Sequence, residues 1–235
     1  MDNIFSRTEA LLGAEAVKKL KNARVALFGL GGVGSAALEA LLRSAVGHID
    51  VFDYDTVSET NLNRQFLATV STLGMKKTEA AKLRAKDISP NAEITVHDIF
   101  YLPENSNQID MGDFDFVIDA VDTVTAKLEI ITKAMEKNVP VISCMGTGNK
   151  IDITKLKVTD ISKTEGCPLA RVMRKELRNR GVNHLPVVFS DEKPFCETDT
   201  GALKGNRPAP ASAVFVPAAA GLLLASEAVK QITQK

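Results

Sequence analysis

The residues that could do chemistry form a series along the first half of the chain. Gly29, Gly31 and Gly34, with an extra Gly32, follow the apolar run Val25-Ala26-Leu27-Phe28, and Asp53 and Asp55 follow a second run, Ile49-Asp50-Val51-Phe52. Asn61, Asn63 and Arg64 come next, then Gly74 and Lys76, then Asp119 and Asp122 after the run Phe114 to Ile118. A glycine turn between a strand and a helix lets the backbone approach phosphate oxygens. The helix N-terminus adds unpaired N–H groups and the positive end of its dipole. An acid at the second strand's tip, Asp53, is placed to hold a ribose hydroxyl. Together these residues describe a nucleotide site.

Which nucleotide it takes depends on the groups beyond the glycines. Gly29, Gly31 and Gly34 with Asp53 satisfy a dinucleotide fingerprint, and on those residues alone an NAD-dependent oxidoreductase is an alternative. A nicotinamide site has no need of Arg64, whereas a triphosphate does, because a guanidinium makes bidentate bonds to phosphate oxygens. For Asn61 and Asn63 the structural alternative is a capped turn. Lys76 opens a helix, where acids are electrostatically preferred, so it fits as a phosphate ligand; a solvated lysine beside Lys77 is the alternative. Asp122 at a strand tip could hold magnesium, which takes few carboxylates and completes its shell with phosphate oxygens and water. Its alternative is an N-cap on the helix beginning near Thr125.

These residues need a scaffold that brings strand tips together. Residues 5 to 21 read as a short helix interrupted at Gly13, with Arg7 in a mobile segment ahead of it. After the glycine turn, Ala36 to Ser44 is helical. Thr78 to Ile88 is a second helix, stopped by Ser89-Pro90. Ile94-Thr95-Val96 and Phe114 to Ile118 are strands, Thr125 to Lys137 is a helix, and Val139 to Ser143 is a fifth strand. Alternation of strands and helices up to residue 145 predicts an α/β fold with a Rossmann-like, doubly wound, mostly parallel sheet. Residues 151 to 161 alternate as antiparallel strands do, so the C-terminal part extends that sheet. Pro168 to Arg180 is a helix and Pro186 to Ser190 a strand. Asp191 to Ala211 reads as a long mobile loop, and Pro217 to Ile232 as a closing amphipathic helix.

At 235 residues the chain has the length of one large α/β domain, and 45% hydrophobic with 25% charged residues is ordinary globular composition. Lys plus Arg and Asp plus Glu both number 29, so a nucleic-acid partner would have to be met by a local patch. Cys144, Cys167 and Cys196 are odd in number and supply no pair of CxxC metal clips, which suits a reducing compartment. The start of the chain lacks the pattern of a signal peptide, and the apolar run near Val214 to Ala225 is short for a bilayer span, so the expectation is cytoplasmic, with no membrane partner.

The motifs Gly29 to Ser35, Asp53-Tyr54-Asp55-Thr56-Val57, Asn61-Leu62-Asn63-Arg64-Gln65, Gly74 with Lys76, and Asp119-Ala120-Val121-Asp122 occur in order over roughly the first two-thirds of the chain. Together they resemble the adenylating domain of the ThiF/MoeB and ubiquitin-activating superfamily. The resemblance implies a single adenylating domain, with a nucleotide-binding part (1–150) and a substrate-recognition and dimerisation part (151–235). It also implies ATP and Mg2+ as cofactors, Asp53 on the ribose, Arg64 and Lys76 on the phosphates and Asp122 on magnesium. Arg7 is similar to the arginine that this superfamily inserts into the partner subunit's site, which implies a homodimer.

The C-terminal third selects the branch. Cys167-Pro168-Leu169-Ala170-Arg171 followed by a basic helix, then Val187-Val188-Phe189-Ser190, resembles the tRNA threonylcarbamoyladenosine dehydratases, which lack the zinc clips of sulfur-carrier activators. An activator of a ubiquitin-like sulfur carrier, with a sulfur-transfer protein partner, is the alternative. Arg171, Arg174, Lys175 and Arg178 fall on one side of a helix and could follow a tRNA backbone; a solvated face is the alternative. Cys167 and Cys196 could serve as nucleophiles, yet ring closure needs no enzyme thiol. Cys144 reads as a small core residue.

Overall fold

The computed structural model describes residues 4–195, 203–204, 207–208 and 210–234. The chain enters through α1 (Ser6–Leu12) and α2 (Ala14–Asn22), divided at Gly13, whose φ of 89° lies in the left-handed region that glycine adopts without a Cβ penalty. Arg7 therefore lies inside a helix and not, as the sequence suggested, in a segment ahead of one. Next come β1 (Arg24–Phe28), α3 (Gly32–Arg43), β2 (His48–Phe52), α4 (Lys77–Ile88), β3 (Glu93–His97), β4 (Phe116–Asp119), α5 (Val124–Glu136) and β5 (Val141–Cys144). The C-terminal part adds β6 (Leu156–Asp160), α6 (Pro168–Arg178), β7 (Pro186–Ser190), the two-residue strands β8 (Leu203–Lys204) and β9 (Arg207–Pro208), and α7 (Phe215–Gln234).

Seven strands form one sheet in the order β3-β2-β1-β4-β5-β7-β6, and β8 pairs with β9 apart from it. Successive strands run outward from β1 to β2 and β3, then return to β4 on the other side of β1. The switch point lies between β1 and β4, where sheets of this kind bind ligands. The antiparallel extension is narrower than expected. Only β6 is antiparallel, to β7, and β7 itself continues the parallel sheet beside β5. The first part of the predicted stretch is instead a single helical turn, Ile153–Lys155.

Both faces of the sheet are covered, so the central strands are near-continuous apolar runs, interrupted by the buried polar residues Asp50, Asp119 and Ser143. Val25 and Leu27 of β1 belong to the core under α3, α4 and α7, while Ala26 and Phe28 belong to the core under α5 and α6. Leu38, Leu41 and Leu42 of α3 are fully buried, each contributing roughly 2 kcal/mol by transfer from water. A Cβ at Gly221 of α7 would stand 2.2 Å from the Val33 carbonyl oxygen, so α3 and α7 approach at backbone distance. α7 is long and apolar enough to cross a membrane by length and composition, yet half of its apolar stretch is buried inside this domain. On the opposite face Phe28 stacks on Phe52 at 4.1 Å and Phe52 on His97 at 4.2 Å.

Candidate active site

The site is built at the C-terminal tips of β1, β2 and β4. β1 leads into Gly29, whose N–H donates to the Phe52 carbonyl at 2.8 Å and whose φ is 89°. A side chain at Gly34 would place its Cβ 1.8 Å from the Gly29 carbonyl oxygen, so these two glycines allow the strand to turn directly into α3. Gly31, by contrast, has open space where a Cβ would be. Gly32 meets Arg64, whose Cγ lies 3.6 Å from its ideal Cβ position, so Arg64 stands beside the N-terminus of α3. The Arg64 guanidinium is held by the Thr60 carbonyl at 2.7 Å and Asn63 Oδ1 at 2.9 Å.

Asp53 is a tie between loops. Its Oδ2 accepts the Leu30 N–H of the glycine turn at 2.7 Å and its Oδ1 accepts the Asp55 N–H at 2.9 Å, with the side chain only 8% exposed. Each oxygen keeps a lone pair for a further donor. Asn61 makes the capped turn, its Oδ1 accepting the Ser58 N–H at 3.1 Å, and Asn63 donates to the Ser212 carbonyl at 2.9 Å ahead of α7.

The two neighbouring lysines divide. Residues 55–57 pair with 74–77 through Val57 to Met75, Gly74 to Val57 and Lys77 to Asp55 backbone bonds. That ladder turns Lys77 inward. Lys77 Nζ lies 2.8 Å from Asp55 Oδ2 and 4.0 Å from Asp53, 6% exposed, while Lys76 points outward to Asp98 at 3.2 Å and the Tyr54 carbonyl. The sequence pattern does not single out Lys77. Its one signal is position: it is the first residue of α4, where a cation facing inward needs an anion.

Asp122 is exposed beyond the tip of β4, one residue ahead of Thr123, the N-cap of α5. Its charge, with those of Asp55 and Asp53, acts on Tyr54: burial first, then these three carboxylates, push the phenol above its ordinary value. The tips of β2 and β4 lie on the same edge of the sheet, on either side of β1. Among the described residues no three acidic, His or Cys side chains form a metal cage; the exposed Asp122 is a single-carboxylate donor set, which suits magnesium when phosphate and water complete its shell. Asp119 is not part of that set. It is fully buried against Lys127 at 2.9 Å and accepts from Ser143 Oγ at 2.6 Å.

Arg7 is exposed on α1, in a groove of about 440 Å³ lined also by Leu11, Ala40, Ser44 and Leu222. Ser44 caps the C-terminal end of α3, some 18 Å along that helix from the glycine turn. Within one chain Arg7 and the nucleotide site do not meet.

The basic helix is narrower than its sequence. Arg174 turns inward, donating to the Thr164 carbonyl at 2.7 Å and its Oγ1 at 2.6 Å, and so fastens α6 to the turn after β6. Arg171, Lys175 and Arg178 are exposed, and no side-chain bond to another described residue engages them. Cys167 and Cys144 are buried, and burial pushes the Cys144 thiol up to about 12, as befits a core residue. Cys196 lies outside the described residues. Lys150, which the sequence does not flag, is buried after β5 and donates to the Ser190 carbonyl at 2.6 Å; burial pulls its ammonium below the usual lysine range.

Comparison with known proteins adds the relationship. The chain is 40% identical over 97% of its length to the tRNA threonylcarbamoyladenosine dehydratase of Bacillus subtilis, covering 94% of that protein. It is 33% identical over 98% of its length to the Escherichia coli enzyme of the same name, covering 94% of it. The solved structure of the E. coli enzyme in complex with ATP superposes with a TM-score of 0.88, covering 98% of this chain and 93% of that one. The E. coli MccB structures, at 19% identity and a TM-score of 0.69, share the fold alone. The ThiF family profile matches residues 5–235, and the chain belongs to the ThiF family.

Proposed function

We propose that this protein is an ATP-dependent enzyme that dehydrates N6-threonylcarbamoyladenosine in tRNA, closing a ring through a carboxyl adenylate. The observation that carries the nucleotide half is Arg64 standing beside Gly32 at the N-terminus of α3, with Lys77 held at the tip of β2. The nature of the carboxylate is supported by likeness over nearly the whole chain to the B. subtilis and E. coli dehydratases.

In this mechanism the glycine turn and the α3 N-terminus receive phosphate oxygens, and Asp53 accepts from the ribose. A carboxylate oxygen of the threonylcarbamoyl group attacks the α-phosphorus of ATP; the bond to the bridging oxygen breaks, and pyrophosphate leaves. Arg64 and Lys77 neutralise charge that grows on the phosphates, in a preorganised setting where such contacts count most. An internal nucleophile of the same nucleoside then attacks the acyl carbon and loses its proton, and AMP departs. Proximity drives that second step. Asp122 would hold magnesium, which when bound with the phosphates offsets their charge. Lys76, first expected to serve the phosphates, stays in the proposal only as a surface cation near the site.

The remaining parts of the proposal concern assembly. Arg7 reaches a nucleotide site only from a second copy, so a homodimer with Arg7 acting in trans fits its place on α1. Arg171, Lys175 and Arg178 would meet the tRNA backbone, residues 151–235 would serve substrate recognition and dimerisation, and the setting would be cytoplasmic. The test is pyrophosphate release with tRNA carrying the threonylcarbamoyl modification against tRNA lacking it. Release only with the modified tRNA is expected; equal release, or none with either, overturns the assignment.

A further inference from the structure

Three fully buried polar side chains meet below the tip of β4. Asp119 of β4, Lys127 of α5 and Ser143 of β5 are each 0% exposed. Lys127 Nζ lies 2.9 Å from Asp119 Oδ2, and Ser143 Oγ donates to the same oxygen at 2.6 Å. A buried ion pair is a poor way to gain stability, since desolvation offsets the attraction and apolar residues of similar volume often do as well. Its bonds to backbone show what it does hold.

Two of those bonds close on one residue. Val121 N–H donates to Asp119 Oδ1 at 3.2 Å, and the Val121 carbonyl accepts from Lys127 Nζ at 2.9 Å. Both peptide groups of Val121 are thereby fixed, including the one that leads into Asp122. The same turn is the wall of the phosphate loop: a Cβ at Gly29 would stand 2.8 Å from the Ala120 carbonyl oxygen and 3.1 Å from the Val121 nitrogen. On the other side Ala120 N–H donates to the Phe28 carbonyl at 2.8 Å, the last residue before Gly29. One buried knot therefore sets the position of the glycine turn and of the Asp122 backbone together.

We propose that Asp119, Lys127 and Ser143 are positioning residues for adenylation, holding the 120–122 turn so that Asp122 and the phosphate loop keep a fixed separation. This rests on assigning Asp122 and the glycine turn to the nucleotide site.

The first measurement needs no variant. Hydrogen exchange at the Val121 amide should be slowed on the order of 100-fold or more relative to a free loop amide; exchange at the free rate overturns the proposal. The second compares wild type, Lys127→Met and the double variant Asp119→Leu/Lys127→Met. Lys127→Met leaves a buried carboxylate unpaired and should lower Tm and turnover together. The double variant relieves that charge and should recover Tm, yet exchange at Val121 should rise roughly tenfold or more and kcat for AMP formation should stay down by a similar factor. Recovery of kcat along with Tm would show a purely structural pair and overturn the idea. Asp122→Ala separates the two levels. Full turnover in Asp122→Ala removes the assignment on which the proposal stands, whereas lost turnover there beside native turnover in the double variant refutes the positioning role alone.

Discussion

Lys77 Nζ lies 2.8 Å from Asp55 Oδ2 in a pocket that leaves the lysine 6% exposed, whereas Lys76 reaches outward to Asp98 with both partners nearly half exposed. An exposed pair of that kind is worth about 0–1 kcal/mol, and a mobile, hydrated ammonium is poorly preorganised for a transition state. Lys77→Ala should lower substrate-dependent AMP formation by about 100-fold or more, and Lys76→Ala by only about two- to threefold. Rates measured at saturating modified tRNA decide between them, and the reverse order would return the phosphate role to Lys76.

The glycines of the turn separate folding from binding. Alanine at Gly34 would drive its Cβ to 1.8 Å from a backbone oxygen, so Gly34→Ala should cost more than about 4 kcal/mol and yield little folded protein. Gly31 has an ordinary φ of −72° and nothing within 4 Å of an added Cβ. Gly31→Ala should therefore unfold within about 0.5 kcal/mol of wild type, yet weaken ATP binding, because the methyl group enters the space a phosphate would use. Thermal unfolding and an ATP titration on the same sample test the split; unchanged affinity would mean that phosphate does not pass Gly31.

How much of this was legible follows from which rules are local. The βα alternation and the apolar runs at Val25 to Phe28 and Val187 to Phe189 predict the sheet, because a strand buried on both faces reads as a near-continuous apolar run. The glycine turn and Asp53 are readable because their spacing is set by one strand, one turn and one helix. The choice between Lys76 and Lys77 is not, since it depends on residues 55–57 pairing with 74–77 across a loop. Arg174 looks like its neighbours in sequence, and only the turn at Ile161 to Thr164 makes it an inward clamp. Lys127 sits among the apolar residues of α5, and its partner Asp119 reads as a site acid until β5 is seen to cover it.

The buried Asp50 should govern part of the acid stability. Burial alone would raise its carboxyl, but bonds from His97 at 2.8 Å and from Arg24 at 2.8 and 3.0 Å outweigh that and hold it below its ordinary value. A depressed folded pKa contributes stability in full above the unfolded value, near 3.9, and loses it as pH falls through the lower folded value. Urea midpoints should thus fall steeply below about pH 4 in the wild type. Asp50→Asn should be less stable at neutral pH and show a flatter acid limb. Parallel limbs in the two proteins would assign the acid transition to other carboxylates, such as Glu39 between Arg43 and Arg84.

The basic face of α6 gives the sharpest division of roles within one helix. Arg171, Lys175 and Arg178 are exposed at spacings of four and three, so they project from one side, where each can neutralise a phosphate and release a counterion. Arg174 lies on the same arc but spends its guanidinium on Thr164. Replacing the three exposed cations with glutamine should weaken tRNA binding, and it should reduce the slope of log affinity against log salt by about 2, at roughly 0.7 per contact to single-stranded loop. Tm should hardly change, because no bond to another described residue is lost. Arg174→Gln should do the opposite, lowering Tm through the unsatisfied Thr164 carbonyl and leaving the salt slope near the wild-type value. If all four substitutions shift the slope alike, Arg174 turns outward on the RNA. If none does, the face is only solvated, and the tRNA is gripped elsewhere.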